Sequence, residues 1–162
     1  KYSDWGVRTI NERIRAELAD FGKLEGGVAS DPEGPLWYRG LALRDERLAE
    51  HVETILKNYD VDRIVIGHTY TEGAVMPRFG RRVLVIDVGL SKVYDAAGRL
   101  ACVEIERGRA YALHRGTRLE LPRDKDDLLR YLKEAAALDP QPSSLARQIA
   151  TLEAALSDPA KK

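Results

Sequence analysis

Scarcity marks this chain. Its 162 residues include one Cys, one Met, two Phe, two Trp and three His, and its positive and negative charges cancel at 26 each. A lone Cys102 cannot close an internal disulfide or build a cysteine metal cluster. We therefore expect it to be a small buried hydrophobe in the strand-like segment 100–105. Zero net charge removes the usual argument for a nucleic-acid partner, which demands a basic face. No apolar run approaches the roughly 20 residues needed to span a bilayer. No Walker loop, GxGxxG, GxSxG or HExxH signature occurs. The chain opens on Lys1 with no basic-then-apolar leader, and its first residues read as the middle of a loop. A fragment or processed chain is the expectation, which leaves the compartment undetermined and export of a longer parent open.

What is present describes a globular protein: 44% hydrophobic and 32% charged residues, enough for one domain with a short appendage. Thr9-Ile10-Asn11-Glu12 fits a capping box, with Ile10, Ile14, Leu18 and Phe21 on one helical face and Gly22 as its stop. Residues 22–40 are rich in Gly and Pro, and ordered loops of that length tend to be functional. A second helix is expected over 44–59, with Leu48, Val52, Ile55 and Leu56 facing inward. Short apolar runs at 63–67 and 83–86 read as buried strands. Segments 100–105 and 110–113 read as a hairpin turning at Gly108. After Pro122 the pattern becomes helical, with Leu128, Leu129, Leu132 and Ala136 as one stripe. Pro140 and Pro142 interrupt it before Leu145, Ile149, Leu152 and Leu156. The division is a mixed α/β segment over 1–118 and a helical tail over 119–162.

Two regions carry candidate chemistry. His68 follows the run Ile64-Val65-Ile66-Gly67, at the end of a strand where open α/β sheets collect ligands. It reads either as a metal ligand or as a turn histidine satisfied by backbone groups. Asp87 ends the second run. If the strands are parallel neighbours, it opens onto the same edge and could orient the His68 ring. It reads equally well as the cap of its own turn. Arg39, beside Trp37 and Tyr38, presents a planar fork suited to phosphate oxygens, although such an Arg also serves as a surface stacking partner. His51 and His114 read as structural. Arg78, Arg81 and Arg82 form a basic turn with no role beyond steering.

Taken together, Gly34-Pro35-Leu36-Trp37-Tyr38-Arg39-Gly40, Gly67-His68-Thr69 and Ile86-Asp87-Val88-Gly89-Leu90-Ser91 resemble the C-terminal half of a calcineurin-like metallophosphoesterase. The resemblance runs over residues 1–118 and is nearest to the bacterial Shewanella-like protein phosphatases of the phosphoprotein phosphatase superfamily. It implies an α/β fold, half of a four-layer α/β/β/α sandwich. It also implies two divalent metal ions (Mn, Fe or Zn) in the full-length parent and hydrolysis of phosphomonoesters by a metal-activated water. His68 maps to the family's metal-ligating His and Arg39 to its phosphate-binding Arg, whereas a supporting place for Thr69 and Asp87 behind His68 is read from the residues' positions alone and is not implied by the family. The implied partner is a phosphorylated substrate, either a phosphoprotein or a small phosphomonoester.

The departure from the family pattern is as informative. The blocks Gly-Asp-x-His-Gly, Gly-Asp-x-x-Asp-Arg-Gly, Gly-Asn-His-Glu and His-Gly-Gly, which supply most ligands and the general acid, are absent. A missing N-terminal half would have to provide them, and the chain alone is expected to be inactive. A nucleotide or phosphodiester hydrolase of the same fold is the alternative enzyme. A non-catalytic interaction module is the alternative of another class.

Overall fold

The computed structural model describes residues 5–43 and 46–157. The chain divides into two compact units, Lys1–Leu43 and Arg44–Lys162. The first contains α1 (Val7–Leu18), a 3-10 turn at Phe21–Lys23 and the short α2 (Gly40–Leu43). α1 starts at Val7, two residues before the Thr9 that opens the expected capping box, and its N-cap Gly6 offers no side-chain cap. Thr9 is thus already helical. Ile14 is buried with Val28 and Ala29, and Trp5, Ile10 and Leu24 pack around them. Leu18 and Phe21 depart from the expected stripe, and Phe21 is 81% exposed. The helix has ended before Phe21, so its period no longer aims that ring at the cluster.

Polar contacts hold the Gly-rich loop to this small core. The buried Glu17 carboxylate accepts the Ala29 N–H at 2.7 Å, and the Trp37 indole donates to the Ala29 carbonyl at 2.8 Å. Gly27 lies so close that a Cβ there would stand 2.5 Å from Glu17 Oε2. A side chain at 27 would displace the carboxylate that satisfies Ala29.

The second unit holds α3 (Ala49–Tyr59), six strands, α4 (Lys125–Leu138) and α5 (Ala146–Ser157). α3 buries Val52 and Leu56 as expected, is preceded by a 3-10 turn at Glu46–Leu48, and stops at Asp60 in a left-handed conformation. The start expected at Arg44 lies outside the described residues. The first sheet has the order β1-β3-β2, from β1 (Ile64–Tyr70), β2 (Met76–Arg78) and β3 (Val83–Asp87). β1 and β3 are parallel, whereas β2 is antiparallel to β3. Parallel neighbours need a connection of about a dozen residues, and the stretch 71–82 supplies it with a strand instead of a helix. β3, central in the sheet, buries Val83, Leu84 and Val85, each worth about 1.5–3 kcal/mol of burial. β1 is an edge strand and leaves Val65 exposed, contrary to the buried reading of 63–67.

The second sheet is a meander of β4 (Ala101–Glu106), β5 (Arg109–His114) and β6 (Thr117–Glu120). Both of its turns are two-residue Arg-Gly pairs at positive φ: Arg107 and Gly108 at 49° and 78°, Arg115 and Gly116 at 47° and 84°. Such turns match the twist of the flanking strands. Cys102 is exposed, which corrects the buried expectation. Strand alternation sends its neighbour Ala101 inward instead.

One core gathers Leu84 of the first sheet and Val88 just beyond it, Ala112 and Leu119 from the second sheet, and Tyr131, Leu132 and Leu145 from the helical segment. α4 is capped by Asp124, whose Oδ1 accepts the Asp127 N–H at 2.8 Å. No helix among the described residues is long and apolar enough to cross a membrane.

Candidate functional site

The parallel pair β1–β3 loses its register at its carboxyl end. Ile66 faces Val85 and Tyr70 faces Asp87, so Gly67, His68 and Thr69 together stand against Ile86 alone. The surplus residues form a bulge, which re-aims side chains at strand ends. His68 takes φ 55° there. A left-handed backbone costs an ordinary residue about 1–2 kcal/mol, though His is one of the types that adopts it more often. The imidazole is exposed and Thr69 is half-buried. His68 therefore sits within the strand's irregular end rather than in the loop beyond it.

Asp87 is half-buried at the matching end of β3. Its Oδ1 accepts the Gly89 N–H at 3.1 Å, and its carbonyl accepts both the N–H and the hydroxyl of Thr71, at 2.9 and 3.1 Å. The carboxylate thus shapes its own turn, while the carbonyl ties the bulge back to β3.

Residues not singled out by pattern reasoning complete this edge. Tyr70 stacks on Tyr94 with ring centres 4.9 Å apart, and the Arg99 guanidinium lies 5.0 Å from the centre of the Tyr70 ring. Gly89 has φ 72°, and a Cβ there would come within 2.5 Å of Tyr70 Cε2. Burial lowers the Arg99 pKa against the raising influence of Asp139, and its Nε lies 3.5 Å from Asp95 Oδ2. Isolated aromatic residues and one Arg in a loop carry no period, so only the positive-φ Gly89 offered a signal.

Arg39 belongs to the first unit. It is half-buried, donates from Nη1 to the Leu36 carbonyl at 2.9 Å, and lies 5.8 Å from the centre of the Trp37 ring. That placement is common to a stacking partner and to a fork held in one orientation. The parallel strands bring His68, Thr69 and Asp87 to one edge, whereas Arg39 is carried by the other unit.

His114 is buried and donates from Nε2 to Asp139 Oδ1 at 2.9 Å. Asp139 also accepts from Arg115 Nε and from the Ser143 hydroxyl, each at 2.8 Å. This is a structural clasp. The carboxylate is its centre, accepting from the imidazole, the guanidinium and the hydroxyl. His51 is exposed on α3.

The fold is phosphatase-like and mixed α/β. The chain superposes on a cold-active protein tyrosine phosphatase of known structure with a TM-score of 0.60 and 25% identity, over 74% of this chain and 36% of that one. In sequence it is 37% identical over 97 residues to an uncharacterized protein of Schizosaccharomyces pombe, covering 59% of this chain and 26% of that protein. No protein-family profile matches. The chain thus spans 26% and 36% of these relatives' lengths.

Proposed function

We propose that this chain is part of a metal-dependent phosphoesterase of the calcineurin-like type that hydrolyses phosphomonoesters, phosphoproteins among them. The observation that carries the reading is the placement of His68, exposed in a left-handed bulge where two parallel strands end. Ligands collect at such edges. The phosphatase of known structure adds support at the level of fold, and its name makes phosphotyrosine a substrate to include in the assay. In this reading residues 1–118 carry half of an α/β/β/α sandwich and 119–162 form the tail.

The metal requirement sets a limit. Among the described residues no three His, Cys, Asp or Glu side chains converge as a metal site, and a dinuclear centre needs more than one imidazole. The chain alone does not fit a resident metal pair. In the full-length protein His68 would supply one ligand and Arg39 would bind substrate phosphate oxygens, with the remaining ligands supplied from outside these residues.

The test is an assay of full-length protein with an aryl phosphate monoester, an aryl phosphate diester and a phosphotyrosyl peptide, with and without added manganese. Metal-dependent monoester turnover that falls together with bound metal in His68→Ala is expected. Turnover indifferent to His68→Ala and to metal would reject the reading, and preference for the diester would redirect it to a diester hydrolase.

A further inference from the structure

The loop after β3 carries an apolar surface that the core does not use. Leu90 is 62% exposed, Val93 91% and Tyr94 57%, and Tyr70 at the end of β1 is 38% exposed. Exposed apolar residues scattered singly are ordinary. Here two of them are rings stacked with 4.9 Å between centres and 23° between planes. Turns hold the loop in shape: the Tyr94 N–H donates to the Ser91 carbonyl at 3.0 Å, and the Gly98 N–H to the Asp95 carbonyl at 2.8 Å.

The stack has a built foundation. Arg99 is 8% exposed, and its guanidinium lies 5.0 Å from the centre of the Tyr70 ring. Among the described residues neither its Nε nor its Nη1 has a hydrogen-bond partner. The ring and the Asp95 carboxylate, 3.5 Å from Nε, therefore stand in for the water the cation has lost. Gly89 leaves room for both rings, since a Cβ there would stand 2.5 Å from Tyr70 Cε2 and 3.2 Å from Tyr94 Cγ. Arg99, Tyr70 and Tyr94 follow one another in succession, and the last is the more exposed ring.

This succession borders the edge that carries His68. Tyr70 directly follows His68 and Thr69 and is paired with Asp87, whose carboxylate accepts the Gly89 N–H at 3.1 Å. Four apolar side chains fall far short of the about 20–30 residues a side of a stable protein interface. A flat ring beside a polar edge suits instead a ligand with an aromatic body and an anionic end. We infer that Tyr94, backed by Tyr70 and Arg99, takes the aromatic ring of the leaving group, so that the site selects aryl over alkyl phosphomonoesters. This rests on the phosphoesterase reading. Stacking acts on bound substrate and transition state alike, so it belongs to KM rather than to kcat.

A phenolate leaves more readily than an alkoxide, so turnover alone would confuse recognition with reactivity. Full-length protein is therefore titrated by calorimetry with benzylphosphonate and ethylphosphonate, in which a methylene replaces the ester oxygen and hydrolysis is blocked. Tyr94→Ala should weaken benzylphosphonate by about three- to tenfold, the loss expected for one aromatic pair, and leave ethylphosphonate unchanged. KM for phenyl phosphate and for a phosphotyrosyl peptide should rise by the same factor with kcat kept. The lower wild-type KM of the two identifies whether a small molecule or a protein supplies the ring. Tyr94→Phe should behave as wild type, and melting curves verify that both variants fold. Equal weakening of both phosphonates, no weakening of either, a Tyr94→Phe as poor as Tyr94→Ala, or no benzylphosphonate binding to wild type overturns the inference. The phosphoesterase reading fails separately, by absence of metal-dependent turnover. Benzylphosphonate binding lost selectively in Tyr94→Ala would still support the ring surface in that case.

Discussion

Asp139 accepts the Nε2 hydrogen of His114 at 2.9 Å, so a residue just past α4 is fastened to the end of β5. Burial by itself would raise the Asp139 pKa, but the hydrogen bonds from Arg115, His114 and Ser143 together outweigh it and hold the carboxyl below its ordinary range. The sign follows from linkage. A carboxyl that titrates lower when folded than its unfolded value of about 3.9 contributes fully above that value. The contribution is lost as pH falls through the folded value. Asp139→Asn should cost about 3 kcal/mol at neutral pH, because His114 and Arg115 lose a buried anionic partner. Melting temperatures from about pH 3 to 7 should show the wild type losing stability on acidification, with the variant flatter. Parallel curves would reject this account.

Gly89→Ala should destabilise by about 2–3 kcal/mol, combining a left-handed backbone with a clash against Tyr70. Gly108 has a similar φ of 78° but no atom within 4 Å of a Cβ position. Gly108→Ala should therefore cost only about 1 kcal/mol, the conformational part. The difference between the two melts isolates the steric contribution. Near-ultraviolet circular dichroism should change in the Gly89 variant alone, since that substitution disturbs the Tyr70–Tyr94 stack.

Tyr131 is buried, and its hydroxyl donates to the Val75 carbonyl at 3.0 Å, joining α4 to the connection before β2. Tyr131→Phe keeps the ring but orphans a buried carbonyl, at a cost of about 1–2 kcal/mol. Chemical denaturation should show a lower midpoint with unchanged slope. A changed slope would mean that the variant alters the extent of unfolding instead.

His68 offers a separation of stability from function. Replacing a left-handed His by Gly removes backbone strain, so His68→Gly should stabilise the chain by about 0.5–1 kcal/mol. In the full-length protein the same change should remove metal and activity together. A destabilised variant would show that the imbalance of the bulge is held by the imidazole's own contacts.

Arg39→Ala in full-length protein should lower kcat/KM by about 10- to 200-fold while sparing bound metal, since charged hydrogen bonds contribute about 1.5–3 kcal/mol. Arg39→Lys should recover only part, because an ammonium lacks the two-pronged geometry. Steady-state kinetics beside metal analysis decides it. Unchanged kcat/KM would reduce Arg39 to the Trp37 stacking partner.

The two helices after Pro122 were legible because Leu128, Leu132, Leu145 and Ile149 recur at helical spacing and prolines punctuate them. β3 and the β4–β5 hairpin were legible from a dense apolar run and an Arg-Gly turn. β2 escaped because Met76-Pro77-Arg78 is too short to show a period. β6 escaped because its four residues bury only Leu119 and so show no alternation. The burial of Cys102 and the exposure of Phe21 were misjudged for a shared reason. Residue type states what can be buried, whereas strand phase and helix end decide what is.

The amino-acid sequence determined the local chemistry by itself: the mixed α/β content, the aromatic-flanked Arg39, and an imidazole following an apolar run. Tertiary structure decided which of these residues share a place. Parallel pairing of β1 with β3 is a long-range choice made by burying β3 between two neighbours, and only that choice brings His68, Thr69 and Asp87 to one edge. The clasp around Asp139 arises in the same way. Its members come from β5 and its turn, the end of α4 and the turn beyond it, and packing around a common core, which no local pattern encodes, makes them neighbours.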